Sequence, residues 1–457
     1  MCSSDLSNFK ISLPSSSKIL DSEFTLGVAT SSFQIEGAVS EDGRIPSIWD
    51  TFCEQPNKVK NGDTGNPACE HYKRWEEDLD LVKEMGFEAY RLSIAWPRVM
   101  DEKGQANQKG LDFYKKLLDR LQKLEIKSYV TLYHWDLPQY LEDRGGWLNR
   151  DLAFRFQDYA DLVSRALGDS VYSFSTLNEP WCSAFLGYGY GVHAPGHSNI
   201  RYAKQSGHHL LLAHGLAMQV LSTNVPNCQN GIVLNMGPMS PKTHRYDDYI
   251  ASKIAEAGGN HWFLEPILEG NYPHIVNRFE PNVEPLVLEH DLKIISHPVD
   301  YIGINYYTRN IGSYSKDKFL ELSQNPDAEK TDMDWEIYPK GLTDLLIELN
   351  SQYDLPPLMI TENGAATVDS LVDGKISDEQ RCRYFDMHLK AVHEAIESGV
   401  DISGYFAWSL LDNFEWAEGY EKRFGLVFVD FETQERVLKN SAFAFQELLN
   451  LKHKNEN

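Results

Sequence analysis

Eight short apolar runs, helix-period stretches between them and the lack of a glycine-rich phosphate turn after the first run predict an α/β fold. The expected architecture is a single (β/α)8 TIM barrel with extended βα loops. The runs are FTLGVAT (24–30), AYRLSIAW (89–96), KSYVTLYHW (127–135), YSFSTLN (172–178), GIVLNMG (231–237), DYIGINYYT (300–308), PLMITEN (357–363) and ISGYFAWSL (402–410). All are short enough, and apolar enough, to be buried on both faces, as parallel barrel strands are.

The intervening stretches have helical period. HYKRWEEDLDLVKEMG puts Trp75, Leu79, Val82 and Met85 on one face, and KGLDFYKKLLDRLQKLEI does the same with Leu111, Tyr114, Leu118 and Leu121. Gly86 after the first reads as a helix stop signal. An open doubly wound sheet would carry its phosphate turn after strand one, where this chain has SSFQIEG. No repeat and no low-complexity linker divides the 457 residues, so one domain is expected, with a barrel core from about 20 to 450.

The balance of 43 Lys and Arg against 67 Asp and Glu leaves no basic footprint, which argues against nucleic acid and anionic membranes as partners. The N-terminal stretch lacks the basic start and apolar run of a signal peptide, and no segment has about eighteen apolar residues in a row. A soluble, cytoplasmic protein is expected. The six cysteines (Cys2, Cys53, Cys69, Cys182, Cys228, Cys382) form no CxxC pair and match no zinc spacing, so free thiols are expected. Cys182 lies three residues after Glu179 but has no histidine partner in sequence, and reads as packing rather than as a second nucleophile. There is no HExxH-like run, and the adjacent His208 and His209 project apart on a helix as a packed or solvated pair. No metal and no cofactor is expected, and no feature of the sequence sets an oligomeric state.

In a barrel of this kind, polar and aromatic residues at strand C-termini collect in one cavity. Gln34 and Glu36 follow strand one and Arg91 lies in strand two. His134 and Trp135 close strand three, and Asn178 and Glu179 close strand four. Asn305, Tyr306 and Tyr307 close strand six, Glu362 closes strand seven, and Trp408 with DNFEW (412–416) follows strand eight. Each singly has a packing reading: Asn178 and Asn305 as loop caps, His134 as a hydrogen-bonded core histidine, Trp408 as core aromatic. Packing does not explain their joint placement.

This inventory fits glycosidic bond cleavage. A poor alkoxide leaving group needs a protonated carboxylic acid, and the oxocarbenium-like centre needs an anion on the opposite face. Two carboxyls about 5 to 5.5 Å apart would give direct attack and net retention. Glu362 is read as the nucleophile, because Arg91 would hold it ionised, and Glu179 as the acid/base, because a negative Glu362 would keep it protonated. Gln34, His134, Asn178 and Glu415 offer donors and acceptors for sugar hydroxyls, and Trp408 and Trp416 offer apolar faces for axial C–H groups.

The chain resembles family 1 glycoside hydrolases, the β-glucosidase family, from FTLGVATSSFQIEGA through YRLSIAWPR, HWDLPQ, TLNEP, GYGYGVHAPG, GINYYT, ITENG and AWSLLDNFEWAEGY to KNSAFAF. The resemblance implies the same roles for Glu179 and Glu362. It also implies that Gln34, His134, Asn178, Glu362, Trp408, Glu415 and Trp416 line the glycone subsite, with Asn305 and Tyr307 close to the nucleophile and Tyr306 in packing. Trp135 is counted with the substrate-binding set, and Trp181, Trp335 and Tyr188 with the outer, aglycone region. Members acting on 6-phosphorylated sugars replace the glutamate and tryptophan of NFEW, and Glu415 would repel a phosphate dianion. Thioglucosidases carry glutamine in place of the TLNEP glutamate, which this chain keeps.

The reading is a retaining exo-β-glucosidase acting on β-glucosides or short oligosaccharides such as cellobiose, a small-molecule substrate. A broad β-galactosidase/β-fucosidase or transglycosidase on the same site, and a non-catalytic sugar-binding protein, are the alternatives.

Overall fold

The structure, a computed structural model, describes residues 10–279, 283–317 and 319–455; Cys2 lies outside them. The eight apolar runs form the strands β1 (Thr25–Ala29), β2 (Ala89–Ser93), β3 (Lys127–Tyr133), β4 (Ser173–Asn178), β5 (Gln229–Asn235), β6 (Tyr301–Asn305), β7 (Leu358–Asn363) and β8 (Ile402–Trp408). They close into a barrel in which β1 pairs with both β2 and β8 and every pairing is parallel.

Several runs overstate their strands, because their last residues turn into the loops that carry the site. AYRLSIAW ends as strand at Ser93, since Pro97 opens a short helix, Trp96–Val99. KSYVTLYHW ends at Tyr133, and Trp135 already has a left-handed φ of 78°. GIVLNMG is displaced, with strand pairing from Gln229 to Asn235. Sequence patterning missed three small sheets in the loops. One joins Met239–Pro241, Asn310–Ser315 and Phe319–Ser323; the others are the hairpins Leu371–Val372/Lys375–Ile376 and Val427–Val429/Arg436–Leu438.

Alternation along the strands separates two cores. Tyr129, Tyr301, Met359 and Phe406 pack with Ala29 and Ala89 in one cluster, consistent with layers filling the barrel interior. Gly27 makes room for them, since a Cβ there would lie 2.3 Å from the Phe406 ring. Their neighbours Val28, Tyr90, Val130, Ile302, Ile360 and Tyr405 belong to the larger cluster shared with the helices. Helix α1 (His71–Glu84) buries Leu79 and Val82, with Met85 buried just beyond it and Trp75 half-buried. It ends as its sequence predicts. Gly86, at φ 82°, donates to the Lys83 carbonyl, and Phe87 donates to that of Val82, a left-handed cap that satisfies two terminal carbonyls. Helix α2 (Gln108–Lys123) buries all four predicted residues together with Phe113 and Leu117, each large apolar side chain contributing about 1.5–3 kcal/mol.

A buried ion network fixes the loop after β8. Asp412 opens DNFEW and accepts from Lys439 Nζ at 2.6 Å, from Arg423 Nη1 at 2.7 Å and from the Gly425 amide at 2.9 Å. Lys439 also pairs with Asp369, which with Asp378 holds Arg381, at 2.9 and 2.6 Å. Three cations meet three carboxylates, so charges removed from water are compensated. The network ties the Asp412 loop to helix α3 (Glu379–Glu397) and to the residue before helix α4 (Asn440–Asn455). Arg381→Met strands Asp369 and Asp378 without that cation and should cost about 3–5 kcal/mol, read as a lowered denaturant midpoint. An unchanged midpoint would show that the network contributes no stability.

Candidate active site

The C-terminal ends of the strands surround a cavity of about 430 Å3, within the range of small-molecule sites. His134, Trp135, Asn178, Glu179, Asn305, Tyr307, Glu362, Trp408, Glu415 and Trp416 line it, brought together from well-separated strands. Three of them sit on left-handed backbone although they are not glycine: Trp135, Glu179 (φ 48°) and Trp416 (φ 51°). Such backbone is uncommon for non-glycine residues, costs about 1–3 kcal/mol each and concentrates at functional sites.

One chain of hydrogen bonds links the two glutamates. Arg91 Nη1 donates to Glu362 Oε1 at 2.6 Å and Nη2 to Asn178 Oδ1 at 2.7 Å. Asn305 Nδ2 donates to the same Asn178 oxygen at 3.1 Å and to Glu179 Oε1 at 2.6 Å. Tyr307 donates its hydroxyl to the other Glu362 oxygen, Oε2, at 2.8 Å. Glu362 thus faces a guanidinium and a phenol, whereas Glu179 faces an amide and the thiol of Cys182, whose Sγ lies 3.0 Å from Oε2. Burial first, and Glu362 second, push the Glu179 carboxyl up to about 7. The carboxyls therefore differ in environment.

Asn305 departs from expectation. Its backbone is the register partner of Glu362 across β6 and β7, but its side chain serves Glu179. Thr361 explains the orientation: its hydroxyl donates to Asn305 Oδ1 at 2.7 Å and turns the amide nitrogen towards β4.

The wall for a sugar ring is aromatic and neutral. His134 stacks at 15° on both Trp408 and Trp416, with centroids 5.9 and 6.0 Å away. Burial and Arg91 push the His134 imidazole well below its ordinary value, so it is uncharged. Asn178 Nδ2, fixed as donor by the two bonds to its oxygen, donates to His134 Nε2 at 3.2 Å, which leaves the ring proton on Nδ1. Trp135 donates Nε1–H to the Asn178 carbonyl at 2.9 Å and packs on Trp416. Gln34 is fully buried behind Glu415. Its amide donates to the Phe414 carbonyl at 2.9 Å and to Glu415 at 3.4 Å. Glu415 itself is pushed up to about 8 by burial, then by Glu362 and Glu179. A carboxyl raised in this way takes up a proton more readily than an ordinary glutamate and, when protonated, donates as well as accepts and repels a phosphate less than an ionised glutamate would.

Other expectations resolve away from the cavity. Glu36 pairs with Arg98 at 2.9 Å and accepts from Tyr114 at 2.5 Å. Tyr306 donates to the Tyr338 carbonyl in packing, and His208 and His209 bond to Asp291 and to the Trp147 carbonyl. In the outer region Trp181 and Trp335 line the cavity, but Tyr188 is buried and donates to Glu142. Sequence reasoning missed Asn235, His193, Gln324, Met239, Met333 and Phe424 on the wall. Asn235 ends β5 and obeys the same strand-end rule; His193 stands in the GYGYGVHAPG motif. The rest sit on loops with no periodic signal.

The model of glycosyl hydrolase family 1 matches residues 16–454. The chain belongs to this family. Among family 1 relatives, an Agrobacterium sp. protein named β-glucosidase is 46% identical over 92% of this chain and 93% of its own length. A Bifidobacterium breve protein named bifunctional β-D-glucosidase/β-D-fucosidase is 44% identical over 92% and 95%. The solved structure of the Thermotoga maritima β-glucosidase in complex with glucoimidazole superposes with a TM-score of 0.92 at 43% identity, covering 94% of this chain and 98% of that one. The chain is thus a glycoside hydrolase on a family 1 barrel.

Asn305→Ala removes a donor from Glu179 and should move the alkaline limb of the kcat/KM profile up by about one unit while the acid limb stays. A moved acid limb would instead assign Asn305 to Glu362.

Proposed function

We propose that the chain is a retaining exo-β-glucosidase in which Glu362 is the nucleophile and Glu179 the acid/base. The observation that carries the assignment is the unequal surroundings of the two carboxyls: Arg91 and Tyr307 hold Glu362, whereas Glu179 is raised to about 7. In the first step the Glu179 proton passes to the aglycone oxygen as its bond to the anomeric carbon breaks and Glu362 forms the glycosyl ester. Esterification removes the Glu362 charge that helped keep Glu179 protonated. Glu179 then takes a proton from water, whose oxygen attacks the anomeric carbon and frees Glu362.

The glycone is a neutral glucosyl residue, supported by uncharged His134, the two tryptophan faces and the raised carboxyl of Glu415. Terminal β-glucosides and cellobiose are the proposed substrates, which connects the enzyme to the breakdown of cellulose fragments. β-Fucoside cleavage on the same site is a second activity favoured by the name of the B. breve relative. The whole chain is proposed to act as one catalytic domain. A cytoplasmic location is supported by the free thiols Cys53, Cys69, Cys182, Cys228 and Cys382. Among the described residues, no helix is long and apolar enough to cross a membrane.

Anomeric NMR of the first product tests retention, with β-glucose expected and α-glucose as first product contradicting a double displacement. Glu362→Gln should lose more than about a thousandfold in kcat, and near wild-type turnover would refute its role. The alkaline limb of wild-type kcat/KM should have its midpoint near 7, since activity falls as Glu179 loses its proton. A limb above about 9 would assign the acid to another group.

A further inference from the structure

The two oxygens of Glu179 have different neighbours. Oε1 takes an N–H of Asn305 at 2.6 Å, and the same amide nitrogen donates to Asn178. Oε2 lies 3.0 Å from Sγ of Cys182, its one hydrogen-bond partner among the described residues. An amide N–H can only donate, so Oε1 is the poorer place for the acid's proton and Oε2 the better one. A thiol does both: its sulfur accepts weakly and its S–H donates weakly.

We propose that Cys182 is a positioning residue for Glu179 whose hydrogen bond reverses direction during turnover. In the resting enzyme the sulfur accepts from protonated Oε2. When that proton passes to the aglycone oxygen, the S–H turns and donates to the carboxylate, steadying the base that next deprotonates water. The thiol keeps its own proton throughout, and nothing is oxidised or reduced. Weakness of the bond suits the task. A strong acceptor would retain the proton, and a cation would keep Glu179 ionised and unable to give one.

Three observations support this. Cys182 lines the cavity with 8% of its surface exposed, so it sits where the leaving group must pass. Burial and the Glu179 carboxyl push its thiol well above the ordinary value, so it stays S–H while Glu179 cycles. Its segment, Cys182–Gly189, is π-helical and begins three residues after Glu179, a geometry that often marks functional sites. The other charged or titratable groups around Glu179 are Arg91 from β2, His134 after β3, Tyr307 after β6, Glu362 from β7, Glu415 after β8 and His193 on the shared wall. None of these hydrogen-bonds to Oε2.

The inference rests on Glu179 as acid/base, and one set of kinetics separates the two. Profiles of kcat/KM against pH are measured for wild type, Cys182→Val and Cys182→Ser, on cellobiose and on 2,4-dinitrophenyl β-glucoside, whose leaving group needs no proton. Cys182→Val loses the donor to the anion, so the alkaline limb on cellobiose should move up by about half to one unit. On the dinitrophenyl substrate kcat/KM should stay within about twofold, and Cys182→Ser, whose hydroxyl is the stronger donor to the carboxylate, should bring the limb back to the wild-type position or below it. A Cys182→Val limb coincident with wild type, or a serine variant that fails to restore it, would overturn the inference. Glu179→Ala is the control: loss on cellobiose with retained dinitrophenyl activity and azide rescue upholds the acid/base reading, and its absence removes both claims. If Cys182→Val does not fold, Cys182→Ala carries the same comparison.

Discussion

Arg91 is the residue on which the arrangement depends. It sits inside the barrel mouth with 2% of its surface exposed, where an unpaired guanidinium would be costly, so its position is set by the acceptors it finds. Those are Glu362 and the Thr361 carbonyl from β7, and Asn178 from β4, which contributes its amide oxygen and, one residue on, Glu179. A single planar cation therefore spans the strands bearing the two carboxyls. Lysine could not replace it, because a point charge cannot hold two acceptors in one fixed plane. Small residues make room for it: Ala29, its register partner, and Ala89, two residues earlier, line the same interior.

From that contact the asymmetry of the site follows. The guanidinium and the Tyr307 phenol use both oxygens of Glu362, while Glu179 is left with an amide, a thiol and a carboxylate neighbour. Both glutamates are buried, Glu362 with 4% and Glu179 with 6% of its surface exposed, but only Glu362 has a cation in contact. The same field extends to Glu415 at the aromatic, sugar-binding end, where Glu362 and Glu179 add to burial in pushing the carboxyl up. The buried ion network around Asp412 works at the next remove. It fixes the loop that presents Glu415 and Trp416 without placing a charge in the cavity.

Much of this was legible in the sequence because barrel strands convert position in the chain into position in space. A residue at a strand's C-terminal end points into the mouth, and that rule found His134, Asn178, Glu179, Asn305, Tyr307, Glu362 and Trp408. What the sequence could not convey is which neighbour each side chain turns towards. Asn305 stands beside Glu362 on the backbone and bonds to Glu179, because Thr361 takes its oxygen. Cys182 reads as packing in the sequence because it lies in the helix after β4, where the strand-end rule does not reach, and its bond to Glu179 is visible only in the structure. Phe424, Met239, Met333 and Gln324 come from long loops, whose path depends on contacts such as the Phe424 ring against Tyr307 and Trp335. The left-handed backbone at Trp135, Glu179 and Trp416 has no residue-type signal either, since it is imposed by the surrounding fold.

The Arg91 bridge makes the two carboxyls unequal, and the charge of Glu362 helps hold the proton on Glu179. A carbon-13 titration of the glutamate carboxyls, with the Glu179 signal assigned by its loss in Glu179→Gln, tests this most directly. The account predicts a Glu179 midpoint near 7 in the free enzyme, falling once Glu362 is esterified by a 2-deoxy-2-fluoro-glucoside. A midpoint in the ordinary carboxylate range, unmoved when Glu362 is trapped, would contradict it.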